Sequence, residues 1–208
     1  MKKLFALLLA LVMMMSLVAC GETPDNTKPS APATTAPTTP TTAPTTAPTE
    51  PAVQLPASAL EMMETVWAAW NFEYKDYFMG GGYTNMVNGA PGAVETTDVD
   101  SMQFLFYVPE ANIANVQSAA SAMHGMNANI FTAAAFQVED AATFAATMKD
   151  TLMSTQFVCG SPAHLIVYTL GNGYVVYSFG DTENVESFRT ALTTAYADAV
   201  SIFDGPMA

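Results

Sequence analysis

The stretch His164-Leu165-Ile166-Val167-Tyr168-Thr169-Leu170-Gly171-Asn172-Gly173-Tyr174-Val175-Val176-Tyr177-Ser178-Phe179 decides the fold class. Two apolar runs rich in Val, Ile and Tyr flank an Asn-Gly pair, the dipeptide that supplies the positive φ angles of a tight hairpin turn. Residues 164–170 and 174–179 are therefore expected as two strands forced into an antiparallel pair.

Working outward from the hairpin, Asp181 or Thr182 caps a helix carrying Val185, Phe188, Leu192, Tyr196 and Phe203 at helical spacing. On the N-terminal side, Gln156–Pro162 is irregular. Before it, Asp140 caps a helix with Ala141, Phe144, Met148 and Leu152 on one face. Ala128–Val138 reads as a strand whose Ala133-Ala134-Ala135 lets a helix lie close. Pro109 and Glu110 open a predicted helix to about Met123, with Ile113, Val116, Ala120 and Met123 inward, and Gln103–Val108 reads as a strand. Ser58 and Glu61 have capping-box spacing. After them Leu60, Met63, Trp67, Trp70, Tyr74 and Tyr77 recur in steps of three and four, predicting one helix that runs to Gly80-Gly81-Gly82. Residues 83–100 read as an irregular surface loop.

The predicted order is α-β-α-β-α-β-β-α. Single-helix crossovers favour parallel strands and the hairpin is antiparallel, so the expectation is a small two-layer α+β domain with a mixed four-stranded sheet packed by helices, over residues 57–208. These 152 residues suffice for one domain with its own core.

The 56 residues before that domain have a different character. Met1-Lys2-Lys3 is a positive n-region, Leu4–Met15 is an uncharged apolar run too short to span a bilayer, and Leu17-Val18-Ala19-Cys20 reads as a lipobox. Residues 1–19 are expected to be a lipoprotein signal peptide cut between Ala19 and Cys20, with Cys20 lipidated. Two or more acyl chains, at roughly 0.8 kcal/mol per buried methylene, hold a protein stably on a membrane. From Pro29 to Ala52 only Pro, Thr, Ala, Ser and Glu50 occur, with Thr-Thr-Ala-Pro at 34–37, 41–44 and 45–48. Such a stretch has no apolar area to bury and stays disordered, stiffened toward polyproline II at about 3.1 Å per residue. Residues 20–56 are thus expected to be a disordered tether. The implied location is the extracytoplasmic face of the cell membrane.

Cleavage before Cys20 removes two of the six basic residues, Lys2 and Lys3, and none of the 19 acidic ones, taking the formal charge from −13 to −15. A chain this acidic does not grip nucleic acid or anionic lipid through charge. With Cys20 acylated, Cys159 is the only free thiol and no intramolecular disulfide forms.

The segments Met123-His124-Gly125-Met126-Asn127-Ala128-Asn129, Thr155-Gln156-Phe157-Val158-Cys159-Gly160 and Tyr174-Val175-Val176 carry a resemblance. Over roughly residues 58–200 the chain resembles uncharacterised lipoproteins of Gram-positive anaerobes, which join the same anchor and low-complexity tether to a small α+β domain of unknown function. The resemblance implies the fold and the location. Some such proteins are labelled bacteriocin transport accessory proteins. The family brings no catalytic residues.

Three chemistries are conceivable from the residues themselves. Cys159, with His164 five positions on, is the one candidate thiol nucleophile, but no signature links the two, and a lone cysteine is more often a small buried hydrophobe. Met123-His124-Gly125-Met126 places thioethers beside an imidazole, a donor set that suits Cu(I); the chain is Met-rich throughout, so one cluster carries little weight. The Trp/Tyr stripe suits a carbohydrate platform, with core packing as its commoner use. Gly171-x-Gly173 is a hairpin turn and not a phosphate loop, and Asp98-x-Asp100 lacks the other ligands of a calcium loop. Asp181, Glu183 and Glu186 suit a helix N-terminus. No catalytic residue, metal ligand or cofactor is assigned. The leading expectation is a non-enzymatic binding module for an envelope protein, peptide or small ligand. A thiol-dependent enzyme using Cys159 and a copper-binding or transport-accessory lipoprotein stay open as rivals.

Overall fold

A computed structural model describes residues 55–171 and 173–207. The proposed signal peptide and most of the tether, with Ala19 and Cys20, lie outside the described residues. No described helix is long and apolar enough to cross a membrane.

The elements are α1 (Ala59–Ala69), β1 (Phe78–Gly80), β2 (Val87–Asn88), β3 (Gly92–Val94), α2 (Glu110–Ile113), β4 (Val116–His124), β5 (Phe131–Val138), α3 (Ala141–Ser154), β6 (His164–Leu170), β7 (Tyr174–Gly180), α4 (Thr182–Ala195) and β8 (Val200–Pro206). The fold is α+β as expected. Its sheet has eight strands instead of four, in the order β2-β1-β4-β5-β7-β6-β8, with β3 also paired to β4. Every pairing is antiparallel, which corrects the expected mixed sheet.

The reason lies in the hairpin. The β5-α3-β6 crossover does leave β5 and β6 pointing the same way, but β7 folds back between them and pairs with both. The β7-α4-β8 crossover likewise steps over β6, which pairs with β8. Parallel strands are present in direction but never adjacent. Helices α3 and α4 lie on opposite faces, so reversing strand direction and face together gives the two crossovers the same hand.

The expected two layers are three. On one face α1 and α4 bury Met62, Met63, Val66, Trp70, Phe188 and Leu192 against Phe131, Ala133, Ile166 and Val176. On the other, α3 buries Phe144, Met148 and Leu152, and the 102–116 segment buries Met102, Phe106 and Val108, against Phe136, Leu165, Val175 and Tyr177. Because both faces are covered, β5, β6 and β7 are buried nearly end to end.

Several element assignments are corrected, beginning with residues 83–100, expected as an irregular loop, which hold β2 and β3. Residues 116–124 form a strand where a helix to Met123 was expected: Val116, Ala119 and Met123 face α3 while Ala120 and Ala122 face α1, and small side chains pair across to β5 as Ala120↔Ala135 and Ala122↔Ala133. Gln103–Val108 is no strand. Asp98 accepts from the Ser101 amide (3.0 Å) and the Ser101 hydroxyl (2.6 Å), starting a five-residue π turn at Ser101–Leu105 that bonds Phe106 N–H to Ser101 C=O. Finally, the last helix stops at Ala195, and Phe203 belongs to β8.

Two of the three expected caps are made by side chains, while Asp181 stands at the N-cap of α4 without a side-chain cap bond. Ser58 Oγ accepts from Glu61 N–H at 3.2 Å, and the Glu61 carboxylate accepts from Ala57 N–H at 2.8 Å, a capping box shifted by one residue. Asp140 accepts from Thr143 N–H at 3.1 Å and caps α3. Strands β1 and β3 share the outer edge of β4 end to end, and there the backbones of Gly80 and Gly92 cross in contact. A Cβ on Gly80 would collide with the Gly92 and Pro91 backbone, so the glycine run is required for packing.

Candidate functional site

The predicted aromatic helix ends early, and this creates the most distinctive surface of the domain. Helix α1 stops at Ala69, with Trp70 in extended conformation as its C-cap. Trp70 is buried, donates from Nε1 to Ser187 Oγ at 2.9 Å, and stacks on Phe72 (4.9 Å) and Phe131 (4.8 Å). The chain then turns through a 3-10 segment, Lys75–Tyr77, into β1. Tyr74 and Tyr77 thereby leave the stripe expected of them and stand 55% and 58% exposed.

These two rings, with Phe72 and Phe78, form one wall of an open groove of about 330 Å³. The lining is completed by His124 at the end of β4, Met126 and Ile130 from the β4–β5 connection, and Asn184 from α4. The register between β1 and β4 pairs Phe78 with His124. Behind the groove, Phe72 and Phe78 pack on buried Trp70, and Phe78 also on Phe131, in a cluster where each aromatic contacts at least two others. The groove is apolar with a few polar tips, the general make-up of a small-ligand site.

His124 is one of the groove's lining residues. Asn127 N–H donates to Nδ1 at 3.3 Å, so the neutral ring carries its proton on Nε2. The Asn127 side chain accepts from Asn129 N–H at 3.0 Å, and Asn129 donates to the carbonyls of Val158 (2.5 Å) and Gly160 (2.7 Å). One chain of hydrogen bonds thus runs from the groove to the loop that bears Cys159.

Cys159 is exposed, in contrast to the buried hydrophobe expected, and holds a left-handed backbone at φ 69°. His164 does not serve it. The His164 imidazole is paired with Asp204 Oδ1 at 2.8 Å, while Arg189 donates to Asp204 Oδ2 at 2.7 Å. Burial alone raises the Asp204 carboxyl, but the Arg189 and His164 bonds together outweigh it and hold it below the usual aspartate range. That triplet ties β6, α4 and β8 together. The Met-His-Gly-Met cluster is likewise divided: Met123 is buried on the α3 face, whereas Met126 is 82% exposed. Among the described residues no group of three or more His, Cys, Asp or Glu is placed to hold a metal. The Asp98 carboxylate, from Asp98-x-Asp100, is occupied by Ser101 and Thr84, and the bonds to Ser101 and Thr84 hold it below the usual aspartate range. Asp181, Glu183 and Glu186 lie at the start of α4.

Sequence reasoning had no means to find Phe72, Ile130 or Asn184, which meet only through the sheet.

No known protein family, curated protein or solved structure matches this chain.

Proposed function

We propose that this chain is a lipid-anchored, extracytoplasmic binding module, not an enzyme, held at the cell membrane through Cys20 and presenting its aromatic groove at the end of a Thr/Pro-rich tether. The lipobox at Leu17–Cys20 and the low-complexity stretch after it support the location. The groove between Tyr74/Tyr77 and His124/Met126 supports the activity, and it is the observation that carries the reading. Large aromatic side chains left exposed beside a packed aromatic cluster mark a contact surface. The polar groups that line it, two phenols, one imidazole N–H and one carboxamide, suit binding and orientation.

Two experiments test the halves separately. For the anchor, Cys20→Ala in the full-length protein should move it from the detergent phase to the aqueous phase and remove the mass of the acyl chains. A wild-type protein already in the aqueous phase would sink the anchor. For the groove, a thermal-shift panel of small cations, sugars and short peptides should contain ligands that stabilise the wild type and not the Tyr74→Ala/Tyr77→Ala variant. If every active ligand stabilises both proteins equally, or none is active, the groove is not the binding surface.

A further inference from the structure

The charge around the groove narrows what it takes. We infer that the groove is a cage for a small free alkylammonium compound, an inference that rests on the groove being the binding surface.

First, among the described residues there are three basic side chains, and each is already engaged. Lys149 pairs with Asp150, Arg189 with Asp204, and the Lys75 ammonium donates to the Trp67 carbonyl. An anionic ligand would find no free cation in the groove. The exposed acids Glu73 and Asp76 adjoin Tyr74 and Tyr77 in the chain, and Asp181 and Glu183 lie within three residues of Asn184. The surroundings of the groove are thus net negative, which favours a cation.

Second, the rings make corners and not a flat platform. Phe72 and Tyr74 meet at 78° with centroids 6.3 Å apart, and Tyr74 and Tyr77 at 50° and 6.2 Å. A sugar ring stacks best on a plane, whereas a cation gains from several ring faces at once, each within about 6 Å. A volume of about 330 Å³ suits one compact head group.

Third, the same aromatic cluster already holds one ammonium. Lys75 Nζ lies 5.0 Å from the centroid of Trp67, whose ring in turn packs edge-on against Trp70 and Phe78. The groove offers the same kind of contact on its open side. The absence of a free cation among the described residues also argues against phosphocholine, whose phosphate would be left unpaired beside acidic neighbours.

Calorimetric titration of the purified full-length protein with choline, and with its uncharged carbon isostere 3,3-dimethylbutan-1-ol, tests the inference. Choline should bind, the isostere about three- to thirtyfold more weakly, and phosphocholine more weakly than choline. Tyr74→Phe should keep choline affinity within about threefold, because the ring and not the hydroxyl makes the contact, while Tyr74→Ala/Tyr77→Ala should abolish it. If choline and the isostere bind equally, and both lose affinity in the double variant, the groove binds by apolar contact alone and the cation inference falls while the groove survives. If phosphocholine binds best, the ligand is a zwitterionic head group and the inference also falls. If neither choline nor the isostere binds, the inference fails, and the wider ligand panel decides whether the groove reading fails with it.

Discussion

Tyr177→Phe isolates one atom of the core and has a worked consequence. Tyr177 lies wholly buried in β7, and its hydroxyl donates at 2.8 Å to the carbonyl of Phe106, also buried. That bond holds the π turn and its sequel, residues 101–108, on the sheet. Removing the hydroxyl leaves the Phe106 carbonyl without its partner, a loss of about 1–3 kcal/mol, reduced because phenylalanine has no hydroxyl to desolvate. We expect about 1–2 kcal/mol at pH 7, or roughly 2–8 °C in Tm for a domain of this size. The pH dependence adds a sharper test. Burial, with a smaller contribution from Tyr107, pushes the Tyr177 phenol well above its ordinary value of 10. Below pH 10 the phenol is neutral in both folded and unfolded chains, so its contribution is whole. Above pH 10 the unfolded chain releases the proton while the folded one keeps it, and stability falls by about 1.4 kcal/mol per pH unit. The variant lacks that loss. Urea midpoints measured from pH 7 to 11.5 should therefore show wild type ahead at neutral pH and the two curves crossing near pH ~11. Equal stability at pH 7, or a gap that stays constant up to pH 11.5, would refute the argument.

Further outcomes follow from other contacts. Asp204→Asn should cost about 1 kcal/mol at neutral pH by leaving His164 and Arg189 without their carboxylate. Because the folded Asp204 carboxyl is held low, that stabilisation is present above the unfolded carboxylate range and is lost as pH falls through the folded value; urea midpoints should converge for the two proteins in acid. Gly80→Ala should destabilise by about 2 kcal/mol or more, since its Cβ meets backbone and not a movable side chain, and hydrogen exchange should show β1 and β3 losing protection first. Cys159→Ser should leave melting temperature and groove binding unchanged, while the wild-type thiol reacts fully with a thiol reagent in the native state. Loss of binding in Cys159→Ser would revive the thiol enzyme as the better reading.

The elements legible in the sequence share one property: each is set by contacts within a few residues. The hairpin was legible because its strands pair directly across a short connection from Leu170↔Tyr174, α3 because Asp140 caps its own helix, and the start of α1 because Ser58 and Glu61 do the same. Residues 116–124 defeated the reading for a physical reason. A central strand covered on both faces has no polar side to betray a period of two, and Val-Gln-Ser-Ala-Ala-Ser-Ala-Met matches a helix equally well. Which it becomes is decided by β5, whose alanines leave room for α1 above the pair.

The same division applies to the candidate site. The N-terminal lipobox and tether are readings of sequence alone, since they depend on short runs of residue type and need no partner in space. From sequence by itself came also the excess of acid over base, and with it the expectation that polyanions are not its partners. Only the tertiary structure decided that Tyr74 and Tyr77 face outward, because the end of α1 at Ala69 depends on Trp70 docking against Phe131 and Ser187, residues 61 and 117 positions away. Only the fold brings His124 opposite Phe78, and only the fold gives His164 to Asp204 in place of Cys159. Side-chain chemistry is written in the sequence. Which side chains share a surface depends on strand order, and strand order here follows from a hairpin that inserts its second strand between two others.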